Sequence, residues 1–240
     1  MTQNMKTEWK TLYRSGAIAA LIAATLFRRN IGAEVSLFIG MDSIPKSAAD
    51  WFSLLQSNPF VGLSFLAAFD LANYFLVGIV FLALAARLWS ENKSLTALAL
   101  ASGLVGIAVS FASNISFSMI SLSQQYAAAA SDAQRTFLLA TGQALLAMSG
   151  AMANFPGTAT YMSYLLIALA GVLLAVQLLP TQRVTAVFGL LAGSCDLAYC
   201  LTFALSPGLQ VLFMASGGAF WMTWHLLAAR FLWQAAKESQ

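Results

Sequence analysis

Arg28, Arg29, Asp70 and Asp196 each interrupt a long apolar run, and side chains of those types seldom stand there without a task. On insertion scales an ionisable group at the centre of a bilayer costs ~2.5–3.5 kcal/mol, so such a group asks for a partner or a ligand. At ~1.5 Å per residue, Arg28 lies ~18 Å inward from Gly40, Asp70 ~15 Å inward from Phe60, and Asp196 ~18 Å from Val184. Opposite charges from three segments thus fall at similar depth in a hydrocarbon core ~30 Å thick. Glu34, Asn73 and Asn114 are placed to join them, and Asn73 shares a helical face with Asp70 three residues before it. Two kinds of chemistry suit this set. One is a polar intramembrane site for an ion or small polar solute; the other is a charge network that only pins helices together.

The remaining reactive residues are few. His225, within Phe220-Trp221-Met222-Thr223-Trp224-His225, is expected near the inner interface in a structural role, with a proton relay as the alternative because its charge changes near neutral pH. Cys195 and Cys200 read as free thiols; Cys200, four residues beyond Asp196, is expected to share its face, and Cys195 to point elsewhere. One histidine and two cysteines build no ordinary zinc centre, so no metal or cofactor is expected. Ser216 precedes His225 by nine residues on one predicted helix, too far along it for a nucleophile and base to meet. No catalytic residue is assigned.

The elements that position these groups follow from composition. Of 240 residues, 60% are hydrophobic and 9% charged, against about 25% charged in soluble domains. The net charge is +3 and the basic residues are scattered, which excludes the basic stripe of a nucleic-acid binder. The first apolar stretch has no small-residue cleavage site behind it, so it is expected to remain as a helix.

Runs long enough to cross a bilayer cover about 15–40, 60–88, 95–122, 161–179, 184–205 and 209–233. Residues 133–153 decide between six spans and seven. With six, Lys6, Lys10, Arg14, Arg87, Lys93, Arg183, Arg230 and Lys237 are cytoplasmic against Lys46 and Arg135 outside, eight to two; with seven the count is five to five. The positive-inside rule selects six, both termini cytoplasmic, in a plasma membrane. The fold class expected is therefore all-α, a single polytopic transmembrane helical bundle over 1–240.

Outer segments 41–59 and 123–160 carry short helices. Residues 47–55 predict a helix with an aromatic edge lying flat at the headgroups. Ser131 and Gln134 predict a capping box. Both segments are candidates for a lid over the outer mouth. Gly103, Gly106 and Ala99, like 215–219, read as close helix-packing surfaces. Ser110, Ser113, Ser116, Ser118 and Ser121 read as a polar lining with interhelical hydrogen bonds. Asp70-Leu71-Ala72-Asn73-Tyr74 and Asp196-Leu197-Ala198-Tyr199 form a weak echo, of the kind inverted repeats leave in transporters.

Several features in order carry a family resemblance. Tyr13-Arg14-Ser15-Gly16 enters the first span, an outer segment leads to Phe69-Asp70-Leu71, and an outer helix spans 131–153. Leu179-Pro180, Phe188-Gly189-Leu190-Leu191-Ala192-Gly193 and Asp196-Leu197-Ala198-Tyr199 follow. In these the chain resembles the bacterial membrane-protein family called domain of unknown function 4386. The resemblance implies a membrane protein of about six helices and assigns no activity or site residue.

The reading favoured by the residues is a multi-pass protein that binds or moves a small solute or ion. Its rivals are a non-catalytic structural or accessory protein and, third, a lipid-acting membrane enzyme. The expected partners are the bilayer and that solute or ion.

Overall fold

A computed structural model describes residues 9–26, 45–149, 157–202 and 207–238; Arg28, Arg29 and Glu34 lie outside the described residues. The protein is all-α, and no strand occurs among the described residues. Residues 9–26 form α1. There follow α2 (Ala48–Ser57), α3 (Pro59–Phe65), α4 (Ala68–Leu88), α5 (Lys93–Ser113), α6 (Ser116–Ala127), α7 (Asp132–Ser149), α8 (Thr158–Leu178), α9 (Arg183–Thr202) and α10 (Pro207–Glu238). Among the described residues, four helical stretches are long and apolar enough to cross a membrane: α4, Lys93–Ala127, α8 and α9.

The chain divides into two compact units. The larger holds residues 1–28, 73–108 and 162–240. Its inward faces are built from small residues that let helices approach. Tyr13, Ala17 and Ala20 of α1 are buried, and a side chain at Gly16 would strike Ala83 of α4 and Leu232 of α10. Gly103 of α5 lies against Phe81 and Ala170, and Gly106 against Ile167, so the packing expected of the third span is present. Polar links are few. Thr96 Oγ1 donates to Gln177 Oε1 across α5 and α8 at 2.8 Å, and Gln177 Nε2 donates to Leu173 O.

The ends of these helices have local causes. Asn92 Oδ1 accepts from Leu95 N at 3.0 Å and so caps α5. Past Leu178, Pro180 cannot continue α8, and Leu178 O takes the N–H groups of Thr181 and Gln182.

The smaller unit holds residues 29–72 and 109–161. Ser47 and Asp50 form a capping box that starts α2. Phe52 of α2 is fully buried, and a Cβ at Gly142 of α7 would stand 2.7 Å from its ring. Gln143 Oε1 accepts from Ala48 N, Ser123 Oγ donates to Phe52 O, and Gln56 Nε2 donates to Ser123 O. The two segments expected as outer ones thus pack on each other. Trp51 is buried at 2% exposure, so it is no headgroup anchor as its residue type suggested; the aromatic edge of α2 points into this core.

The third predicted span does not run unbroken to 122. The helix stops at Ser113 and restarts at Ser116, and Asn114 organises the interruption. Its Nδ2 donates to Ala67 O at 3.0 Å, and its Oδ1 accepts from Ser116 N at 3.0 Å and from the Ser116 hydroxyl. Ala67 sits at the break between α3 and α4 with φ 59°, a left-handed conformation rare for a residue with a Cβ. Two helix breaks are therefore stitched to each other by one amide. The serines expected as an interhelical lining bond back locally: Ser113 Oγ donates to Ser110 O, and Ser121 Oγ accepts from Gln125.

At α7, Ser131 Oγ accepts from Gln134 N as the box predicts. The Gln134 side chain, however, takes the N–H of Ala130.

Candidate functional site

Asp196 lies on α9 thirteen residues past Arg183, ~20 Å along the helix. That helix is long and apolar enough to cross a membrane. Its partner comes from α10: Trp221 Nε1 donates to Asp196 Oδ2 at 2.6 Å. Oδ1 lies over Gly217, one turn earlier on α10, where an added Cβ would stand 2.8 Å away. Only a residue without a side chain allows this approach. Cys195 borders the same glycine, with its Cβ 3.4 Å from that position, so Cys195 as well as Asp196 faces α10. Cys200 is buried instead, at 3% exposure.

Packing fixes the Trp221 indole. Its ring lies on Gly171 of α8, where a side chain would collide with it, and meets Trp224 edge to face at 5.1 Å. Trp224 is fully buried beside Phe81 and Gly189. His225 is 1% exposed, and its Nδ1 lies 2.7 Å from Trp221 O. A carbonyl only accepts, so Nδ1 carries the proton of that bond. The ring also meets Trp224 at 5.1 Å. His225 is thus sealed among rings of the core, and one residue, Trp221, contacts both it and Asp196.

Two phenols complete the surroundings. Tyr199 follows Asp196 by three residues on the same face of α9. Its ring lies 5.5 Å from that of Tyr164 on α8. Both tyrosines, like Asp196, are only partly buried.

The other expected site residues have their own settings. Asp70 occupies the first turn of α4, because the helix breaks at Ala67; it is not ~15 Å down a continuous span, as counting from Phe60 suggested. Its N–H donates to Ala67 O. Asn73 is buried one turn further on, and its Oδ1 meets no hydrogen-bond donor among the described residues. Asn114 holds the two breaks together. Asp70 and Asn114 belong to the smaller unit, Asn73 and Asp196 to the larger.

Among the described residues, the one ion pair is Arg135–Asp132, exposed on α7, and no cluster of three metal-binding side chains occurs. Sequence reading missed Trp221 and Gly217 as partners of Asp196. The signal was present: a glycine one turn before an indole donor on a helix that follows a lone carboxylate. Compared with family models, with curated proteins and with solved structures, the chain finds no match.

Proposed function

We propose that this chain is a multi-pass protein of a bacterial plasma membrane that binds or moves a small solute or ion at a polar site around Asp196. The observation that carries the reading is a carboxylate within a span whose described partner is a single indole N–H. One neutral donor does not offset an ionised carboxylate in hydrocarbon, so the site is built to take a further polar or cationic group. Partial exposure of Asp196, Tyr199 and Tyr164 leaves that group a way in.

The proposed topology has six crossings with both termini inside. It is supported by α1 lying against α4 and α10, which brings the start of α1 and the ends of the other two together. Exposed Trp9, Trp89 and Trp233 mark those ends, as aromatic belts mark headgroups. Lys10, Arg14, Arg87 and Arg230 are there too, with Arg87 5.6 Å above the Phe231 ring.

A second reading has its own support. The Trp221 bond and the Gly217 contact also serve to pin α9 to α10, as a structural or accessory protein would need. The native thiols separate the two. In intact cells, a small charged impermeant thiol reagent added outside should label Cys195, beside Asp196, and spare Cys200. Labelling of neither until detergent is added would leave Asp196 in a dry seam and remove the solute-site reading.

A further inference from the structure

We infer that the ligand of this site is an organic cation, an amine or quaternary ammonium, held between the Asp196 carboxylate and the rings of Tyr199 and Tyr164. The inference rests on the solute-site reading and narrows it to a chemical class. Three features of the site select that class.

Charge comes first. Asp196 is the ionisable group of the α8–α9–α10 constellation that carries negative charge, and its Oδ2 is turned to Trp221 by the 2.6 Å bond. Trp221 is itself fixed by Gly171 and Trp224, so it acts as a positioning residue that aims the carboxylate. An anionic ligand is repelled by that charge and a neutral donor gains only a hydrogen bond from it; a cation also gains the charge attraction.

The second feature is what surrounds the charge. A small, strongly hydrated metal ion gives up its water only to several oxygen ligands. Here the neighbours are an N–H donor, which repels a cation, and two phenol rings 5.5 Å apart. Ring faces bind weakly hydrated organic cations through the quadrupole, and best when water is excluded. Tyr199 stands one helical turn from Asp196, so ring and carboxylate can contact one bound ammonium together.

Burial is the third. The Trp221, Trp224 and His225 rings are sealed, at 6%, 0% and 1% exposure, and offer no face to a ligand. Tyr164 and Tyr199 are only partly buried; Tyr199 stands one helical turn from the carboxylate, and the Tyr164 ring lies against it. Gly217 lets Oδ1 lie close against α10 with no side chain between them.

The experiment is calorimetric titration of the full-length protein in lipid nanodiscs with tetramethylammonium and, separately, with sodium. Tetramethylammonium should bind, and Asp196→Asn should weaken it at least tenfold. Tyr199→Leu should weaken it roughly three- to thirtyfold, the range of cation–π attraction, and Tyr199→Phe should restore most of that. The phenylalanine variant keeps the ring and guards against a folding defect in the leucine one. Sodium binding that Asp196→Asn abolishes, without tetramethylammonium binding, would overturn the organic cation and leave the ion-site reading intact. Binding of neither ion would remove both. Tetramethylammonium binding indifferent to Asp196→Asn would place the cation elsewhere and overturn the inference.

Discussion

The two units set different residues at their helix contacts. In the larger one, small and polar residues stand between helices among large ones: Ala17, Ala20, Gly103, Thr96 and Gln177 are inside with Phe81, Leu84 and Trp224, while Ile18, Leu21, Leu98 and Val105 face out. In α2 of the smaller unit the large apolar and the polar residues take opposite faces. Trp51, Phe52 and Leu55 are buried, and Ala49, Asp50, Ser53 and Gln56 are exposed. Burial of large apolar side chains drives folding only where water lies outside. Where lipid lies outside, close backbone approach and shared hydrogen bonds take over. If lipid surrounds the larger unit and water the outer faces of the smaller, the two should respond differently to loss of a ring and to loss of a hydrogen bond.

The largest effect is expected from Phe52→Ala. Emptying that site should cost ~3–5 kcal/mol, the usual range for a buried aromatic. If the units differ as their surfaces suggest, amide protection should fall in α2, α6 and α7 and stay in α8 and α9. Loss of protection in both sets together would mean one cooperative core, and the contrast would fail.

Next comes the bond at the candidate site. Trp221→Phe keeps an aromatic ring against Gly171 and removes the N–H that reaches Asp196. Hydrogen bonds to charged groups contribute ~1.5–3 kcal/mol, so a stability loss of that order should appear in reversible unfolding in mixed micelles. In an Asp196→Ala background the same change should cost almost nothing. An undiminished loss there would show that the indole matters only as packing.

A smaller effect compares like bonds in unlike surroundings. Thr96→Val removes a buried interhelical bond of the larger unit, and Ser123→Ala removes the link to Phe52 O in the smaller. Interhelical bonds in membranes average ~0.6 kcal/mol, and typical bonds in water-soluble proteins ~1 kcal/mol. Ser123→Ala should therefore be at least as damaging as Thr96→Val. The reverse order would argue that the larger unit relies on polar contacts more than its small-residue faces indicate.

How much of this was legible depended on whether the signal was local. Asp196 stood out because one carboxylate in an apolar run is a local fact. The caps at Ser47 and Ser131 were likewise readable from three-residue spacing. The interruption at Asn114 was not: the stretch Lys93–Ala127 is apolar enough to read as one span, and no Pro or Gly marks the break. Ala67 gives still less warning, since its left-handed backbone is held by contacts from a distant segment and not by its residue type. Trp51 misled for the same reason; an exposed aromatic edge and a buried one share a spacing, and only α6 and α7 decide between them. For Trp221 and Gly217 the glycine one turn before an indole was visible on α10, but that it faces Asp196 depends on a pairing of α9 with α10.

The smallest effect concerns acid. Ser47 Oγ donates to Asp50 Oδ2 at 2.7 Å, and with the Ser47 N–H at 3.1 Å it holds the Asp50 carboxyl below its ordinary value. A lowered folded-state value stabilises the fold above the unfolded carboxylate range, near pH 3.9. That contribution is lost as pH falls through the lower, folded value. Asp50 is fully exposed, so solvent screens the interaction and keeps the effect small. Melting followed at a fluorine-labelled Trp51 should decline as pH drops below about 4, more in the wild type than in Ser47→Ala. A reporter on Trp224, in the larger unit, should lack any Ser47-dependent part of that decline. If Ser47→Ala alters the acid response at both reporters equally, capping of α2 is not confined to the smaller unit, and the two do not unfold separately.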